Sequence, residues 1–362
     1  MAMTRMRKPA DIVAGAAADL FPGYFALVMA TGALSIACQL LGHRTLALAL
    51  LAVNIPAYAI LSALTLTRCA FFFPRIVRDM TDHSRGPGFF TLVAGTCVFG
   101  TQLTIVAHAP EIARWFWLFG ICLWLVVMYS FFLAVTVREN KPSIETGING
   151  AWLIASVATQ SVSVLGTLIA PHMDGWREIV FFVALAMHLL GAMLYLSIIT
   201  LIFYRFTFVN VTVDDMTPPY WINMGAVAIA TLAGANLILH AGEWSFLSEI
   251  LPFLKGFTLF FWITASWWIP LLILLMIWRH FVRRHPLRYD PQFWGMVFPL
   301  AMYTTSTLQL SRAEEFGFLV PIPRIIIYLA MAAWVLTFAG LIRTIVGGLT
   351  YSPAAAEWRP DT

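Results

Sequence analysis

FPGYFALVMATGALSIACQLLG, residues 21–42, runs without a charged side chain for more than the roughly 20 helical residues that span a bilayer core. Along the way it carries Gly23, Thr31, Gly32, Ser35 and Gln39, residues that a helix meeting only lipid has no reason to keep, because polar groups in hydrocarbon are expensive. Such a helix faces protein or a water-filled path. The rest of the chain has the same character. Of its 362 residues 60% are hydrophobic and 11% charged, and mean hydropathy is +0.82, values of a multi-spanning membrane protein.

Uncharged runs supply ten candidate spans, near 21–42, 45–67, 89–108, 112–136, 148–170, 178–204, 219–240, 256–278, 292–311 and 323–346. The expected architecture is all-α: one integral membrane domain over 21–347, between a cytoplasmic N-terminal tail (1–20) and a cytoplasmic C-terminal tail (348–362). Asp11 and Asp19 interrupt the N-terminal segment, which leaves no signal-peptide core. With loops assigned alternately to the two sides, sixteen of the 22 Lys and Arg residues fall on the side of the termini, which by the positive-inside rule is the cytoplasm. The expected location is the inner cell membrane, and the cluster RHFVRRHPLR, 279–288, reads as a topological stop.

Proline recurs near the cytoplasmic start of each odd-numbered span, at Pro22, Pro87, Pro142, Pro218 with Pro219, and Pro291. Proline suits a first helical turn, where its missing N–H would lack a partner anyway. Aromatics follow closely in PGYF, PGFF, PPYW and PQFW, and in the remaining case only at Trp152. Five such starts read as five helical hairpins. The odd spans also hold Gly32, Gly95, Gly100, Gly150, Gly166, Gly225, Gly234 and Gly295 and most of the membrane-depth Ser, Thr, Asn and Gln. For any single helix this permits close packing; for five parallel ones it predicts an inner layer with quasi-fivefold symmetry around a central pore. Helical phase offers Ser156, Gln160, Ser163 and Thr167 in the fifth span and Phe298, Met302, Thr305 and Gln309 in the ninth as lining stripes. Phe25, Met29, Gly32, Gly95, Phe99, Asn223 and Ala230 complete the candidate lining.

All eighteen Asp and Glu residues fall in tails, loops or span ends, so the acidic rings of a cation pathway are missing. Five helix N-termini at the cytoplasmic mouth favour anions there. The expected solutes are small inorganic or organic anions. His188 reads as a packed histidine. Cys38, Cys69, Cys97 and Cys122 have no metal-ligand spacing and read as small hydrophobes. No nucleotide loop, catalytic elbow or metal motif is visible, so neither enzyme activity, nor a cofactor or metal, nor a nucleic-acid partner is expected.

Over about 20–347 the chain resembles the tellurite-resistance/dicarboxylate transporter family, which includes bacterial tellurite-resistance homologues, fungal malic acid transporters and sulfite exporters, and plant slow-type anion channels. The resemblance rests on FPGYFALVMATGALSIA, GPGFFTLVAGTCVFG, NGAWLIASVATQSVSVLG, PPYWINMGAVAIATLAG and FWGMVFPLAMYTTSTLQ. It implies ten helices as five hairpins, a pore lined by the odd helices, and a homotrimer with one pore per subunit. It also implies a phenylalanine of the ninth helix that closes the pore, here Phe298, followed by Pro299 where some relatives have glycine. The alternative the family allows is a carrier for malate-like four-carbon dicarboxylates, with or without proton coupling, or sulfite- or tellurite-related efflux.

Overall fold

The computed structural model describes residues 9–286 and 289–350. Among them there is no strand, and nine helices are long and apolar enough to cross a membrane. In chain order the helices are α1 (Pro9–Ala18), α2 (Ala26–Leu40), α3 (Arg44–Phe71), α4 (Phe73–Met80), α5 (Phe90–Ile105), α6 (Pro110–Val137), α7 (Ile144–Gly147), α8 (Ile154–Ile169), α9 (Arg177–Phe208), α10 (Ile222–Leu239), α11 (Ser245–Glu249), α12 (Leu251–Ile277), α13 (Trp294–Ala313) and α14 (Pro321–Thr350). The expected span at 292–311 is helical, as α13, but its second half, YTTSTLQLSRA, is too polar for it to count among the nine.

Two layers separate by burial. The spans built on α2, α5, α8 and α10 have 83, 72, 94 and 94% of their apolar windows inside the protein, against 17–44% for those on α3, α6, α9, α12 and α14. α13 is buried almost throughout. The reason is side-chain size. The inner helices are built from Gly, Ala, Ser and Thr, which allow backbones to approach closely, whereas the outer ones present Leu, Phe, Ile and Trp to the surroundings. α2 packs on α5, α5 on α8, α8 on α10, α10 on α13, and α13 back on α2. The five inner helices thus close into a ring.

Each inner helix begins with a 3₁₀ turn: Pro22–Phe25, Gly86–Phe89, Gly150–Leu153, Pro218–Trp221 and Pro291–Phe293. These turns also touch in cyclic order. Here one sequence expectation changes. Pro142 does not open the inner helix of the third hairpin; it precedes the short α7, and Gly150 takes the position that proline holds in the other four. Counted from Gly150, Trp152 is no longer delayed. Tyr24, Phe89, Trp152, Tyr220 and Phe293 all stand two residues after the opening Pro or Gly. The aromatic keeps the phase and the proline does not, because proline merely suits a turn that Asn149 caps here by accepting a hydrogen bond from the Ala151 N–H (2.9 Å).

The outer layer is tied to the inner by hydrogen bonds from aromatic side chains to the inner helix of the following hairpin. Tyr58 on α3 meets Thr96 Oγ1 on α5 at 3.1 Å, Trp124 on α6 donates to Thr159 Oγ1 on α8 at 2.8 Å, and Tyr195 on α9 to the Asn223 carbonyl on α10 at 3.4 Å. Trp262 on α12 donates to Thr307 Oγ1 on α13 at 3.0 Å, and Trp334 on α14 to Thr31 Oγ1 on α2 at 2.9 Å. Thr31, Thr96 and Thr159 each lie nine residues beyond Pro22, Pro87 and Gly150.

At the N-terminus, part of the expected tail is helical: α1 packs on α3, with Ala17 and Ala18 buried. Residues 1–8 and 351–362 of the expected tails, and Arg288 of the basic cluster, lie outside the described residues, and α14 continues to Thr350.

A Cβ on Gly150 would strike the carbonyl group of Pro219 and the Cα of Tyr220, backbone atoms that cannot rotate aside. Gly150→Ala is therefore expected to lose about 1–3 kcal/mol of stability through overpacking. Gly256→Ala, with nothing within 4 Å of the added carbon, should be neutral or slightly stabilising. Thermal unfolding of both variants in detergent checks the contrast; equal midpoints would mean that the entrance turns are loosely packed.

Candidate functional site

The 3₁₀ turns and first helical turns of the inner ring enclose a cavity of about 390 Å³. Its wall repeats in register. The residue after each opening Pro or Gly lines it on all five helices: Gly23, Gly88, Ala151, Pro219 and Gln292. One turn deeper come Ala26, Thr91, Ile154, Ile222 and Gly295. At the next turn the five equivalent positions are Met29, Ala94, Val157, Gly225 and Phe298, of which Met29, Val157 and Phe298 form the deep end. Phe298 is by far the bulkiest side chain of that layer and is buried. The following Pro299 lies inside α13, where proline removes a ladder hydrogen bond, and its ring occupies the space that a Cβ on Gly225 would need.

Arg85 is the one charged side chain of this wall, which contains no carboxylate among the described residues. Its Nε and Nη2 donate to Asp79 Oδ1 and Oδ2 at 3.0 and 3.1 Å, and its guanidinium lies over the Phe21 ring, 5.7 Å from the centroid. Asp79 also accepts from Arg68 at 2.7 Å, in a pair with side chains only 3% and 2% exposed, and Arg68 donates to the Leu20 carbonyl at 2.8 Å. Two guanidinium groups share one carboxylate, so the cluster keeps a net positive charge beside the mouth. The loop carrying Arg85 is held by Asp82, whose Oδ1 accepts from the Ser84 N–H, the Ser84 hydroxyl and the Arg85 N–H at 2.8, 2.6 and 2.9 Å. Burial pulls the Asp82 carboxyl upward, yet those hydrogen bonds and the nearby charge of Arg138 hold it below its ordinary value. Asp290 accepts from the Gln292 N–H at 2.7 Å and so caps the last turn without joining the wall.

The residues chosen from the sequence divide into three groups. Met29 and Phe298 line the cavity. Several others turn away from it toward neighbouring helices. Phe25 packs edge-on to Tyr58 at 6.0 Å, and Phe99 stacks on Tyr58 at 4.9 Å and meets Phe116 edge-on at 5.2 Å. Gly32 adjoins Val98 and Asn54, and Gly95 adjoins Phe25. Gln160 is engaged with α9, its Nε2 donating to the His188 carbonyl at 2.9 Å and its Oε1 lying 3.0 Å from His188 Nδ1; Ser156 likewise donates to the Gly191 carbonyl at 2.7 Å. A carboxamide or hydroxyl at membrane depth takes the nearest partner, and for these two it lies on the outer helix. Ser163, Asn223, Ala230, Met302 and Thr305 are buried in the inner ring. Thr305 back-bonds to Ala301 at 3.2 Å, while Ser163 Oγ and both carboxamide atoms of Asn223 have no hydrogen-bond partner.

Arg85, Thr91, Asn149 and Gln292 are wall residues that periodicity alone did not single out. For Thr91 and Gln292 the signal was available, since they sit at the offsets from the opening Pro or Gly that line the cavity on all five helices; Arg85 and Asn149 precede those openings and share no such repeat. At the far end of α13, Gln309 Nε2 donates to Asn236 Oδ1 at 3.3 Å and Arg312 Nη1 to Gln309 Oε1 at 2.8 Å, which places a second cation at the opposite end of the inner ring.

A family model described as voltage-dependent anion channel matches residues 19–342, nearly the whole chain. The chain belongs to the voltage-dependent anion channel family. It is similar to two uncharacterized transporters of Methanocaldococcus jannaschii, at 26% identity over 90% of this chain and 92% of the relative and at 24% over 90% and 94%. An uncharacterized membrane protein of Mycobacterium tuberculosis is 35% identical over 150 residues, 41% of this chain and 75% of that protein. As a member of the voltage-dependent anion channel family the chain is a membrane transport protein, and its acid-free wall with one arginine agrees in sign with that family's name.

Removing one partner of a buried ion pair strands the other charge and ordinarily costs about 3–5 kcal/mol. Asp79→Asn, which leaves Arg68 buried and unpaired, is therefore expected to destabilise strongly. Arg85→Gln should cost far less, since that side chain is 42% exposed. Comparing their unfolding midpoints in the same detergent checks the ranking, and a larger loss for Arg85→Gln would overturn it.

Proposed function

We propose that this protein is a passive conduit for small anions, built as ten spans in five hairpins with quasi-fivefold symmetry around a central pore, with both termini in the cytoplasm. The observation that carries the reading is the cavity wall: two successive layers to which all five inner helices contribute the same position, narrowing onto Phe298. An anion entering this vestibule meets five helix starts, whose partial positive charge favours it, with the N–H groups of Ala151 and Gln292 already capped by Asn149 and Asp290. It also meets Arg85 and no opposing carboxylate on the wall. Deeper, the unpartnered hydroxyl of Ser163 offers a weak, uncharged contact to an ion that must leave again. Met302, Thr305 and Ala230 belong to this inner segment beyond the gate. Assembly as a homotrimer with one pore per subunit in the inner cell membrane completes the proposal and rests on the family resemblance.

Phe298 is the gate. Its ring fills the deep end, in a layer whose other four positions are the smaller Met29, Ala94, Val157 and Gly225, so the resting conductance is low. Truncating a buried Phe ordinarily costs about 3–5 kcal/mol because a cavity remains. Here the vacated volume joins a path open to water, and part of that cost disappears. Phe298→Ala is expected to raise anion current at least tenfold in planar bilayers with nearly unchanged melting temperature and particle size. A destabilised variant without gain of current would mean that Phe298 is only a packing residue. Adding Arg85→Gln to the open variant should lower chloride current several-fold at low salt and less at high salt, where screening hides the charge. A current indifferent to Arg85 at all salt concentrations would remove it from the pathway.

A further inference from the structure

A second cavity, of about 590 Å³, lies on the outer surface at the vestibule end of the bundle. It is a groove between α3 and α6, with α4 along it. Its walls include Cys69 of α3, Ile76 and Val77 of α4, and Val126 and Leu133 of α6, and Phe25 of the inner layer contributes from within. Much of this surface is uncovered: Val77, Val126 and Leu133 are 47, 63 and 64% exposed. The groove is apolar along its length and falls within the roughly 300–1,000 Å³ common for small-molecule sites.

The chemistry changes at its edge. α4, FPRIVRDM, is sharply amphipathic, with Phe73, Ile76, Val77 and Met80 at helical spacing on one face and Arg75 and Arg78 on the other. A short helix of this kind lies in the membrane interface. Arg78 is 73% exposed, and its nearest carboxylate, Asp79 at 3.8 Å, is already taken by Arg68 and Arg85. Arg138, directly after the groove residue Val137, donates to the carbonyl of Thr81, another groove residue, at 2.6 Å. It makes no ion pair among the described residues. Arg75 is engaged by Asp19 at 2.5 Å. Arg78 and Arg138 thus stand beside the end of a long apolar groove, close to Asp79 and Asp82 but in no ion pair shorter than 3.8 Å among the described residues, and with Arg68, Arg75 and Arg85 they outnumber the three carboxylates Asp19, Asp79 and Asp82 there.

We infer that this groove binds one anionic phospholipid, with an acyl chain lying between α3 and α6 and the phosphate held by Arg78 and Arg138. Bidentate guanidinium recognition of phosphate supplies headgroup selectivity, and the apolar walls supply retention. The site lies outside the conduit and does not depend on which solute crosses.

Native mass spectrometry of protein stripped in detergent and resupplied with equal phosphatidylglycerol and phosphatidylcholine tests the inference. The expected result is about one retained phosphatidylglycerol per subunit, favoured several-fold over phosphatidylcholine. Arg78→Gln with Arg138→Gln should abolish the preference, and Val126→Trp with Leu133→Trp should abolish retention of both lipids. Cys69 gives a readout that needs no change in the groove wall. In a Cys122→Ala background, phosphatidylglycerol should slow its alkylation by a maleimide several-fold and phosphatidylcholine should not. Equal retention of the two lipids, or alkylation of Cys69 indifferent to lipid, would overturn the inference. So would groove-filling variants that split an oligomer while leaving lipid retention unchanged, since the groove would then be the seat of a second copy of the chain.

Discussion

A hydroxyl or amide at membrane depth has no water to fall back on, and every feature of this fold follows from where such groups find partners. The inner helices are rich in threonine, serine and carboxamides, and the outer helices answer with tyrosine and tryptophan. Tyr58, Trp124, Tyr195, Trp262 and Trp334 each reach from one hairpin to the inner helix of the next. Each bond is modest, but the alternative of an unpartnered donor in hydrocarbon is costly. Together they fix which hairpin neighbours which and close the ring.

Because many polar groups of the inner helices are satisfied by the outer layer or by their own helix backbone, the inward surface can stay small and lightly functionalised. The vestibule wall is glycine, alanine, isoleucine and a few uncharged polar side chains, with Arg85 at its rim. Charge is kept at the edge by the Arg68–Asp79–Arg85 cluster, in which one carboxylate anchors two cations. A deeper cation would bind an anion tightly and hold it; a cation at the mouth raises local anion concentration and leaves the interior free of traps. In the proposed conduit Phe298 then decides passage by volume alone.

Much of this was legible in the sequence because hydropathy and composition act over whole helices. The alternation of glycine-rich and bulky spans foretold the two layers, and the missing mid-depth carboxylates pointed to the sign of the solute. Side-chain direction was harder to read. Gln160 looks like a pore residue until His188 is seen beside it, and Phe25 and Phe99 look like lining until Tyr58 is seen between them; both outcomes depend on which outer helix is adjacent, which no local pattern encodes. Pro142 misled because a proline marks a permitted turn and not a required one, whereas the aromatic two residues into each turn holds its phase through all five hairpins. α13 is the converse case. Expected as a span at 292–311 because it lacks charge, it is nevertheless too polar to count among the nine apolar helices, since the threonines, serines and glutamine buried inside the ring spoil its apolar average.

The central claim is that anions cross this ring passively, down their own gradient. Purified protein in liposomes, with equal malate or chloride on both sides and an imposed pH gradient at zero membrane potential, tests it most directly. A passive conduit gives no net accumulation of either anion, and with a salt gradient the reversal potential moves toward the anion equilibrium potential. Accumulation of malate against its gradient, driven by the pH difference, would contradict the account and make the protein a proton-coupled carrier.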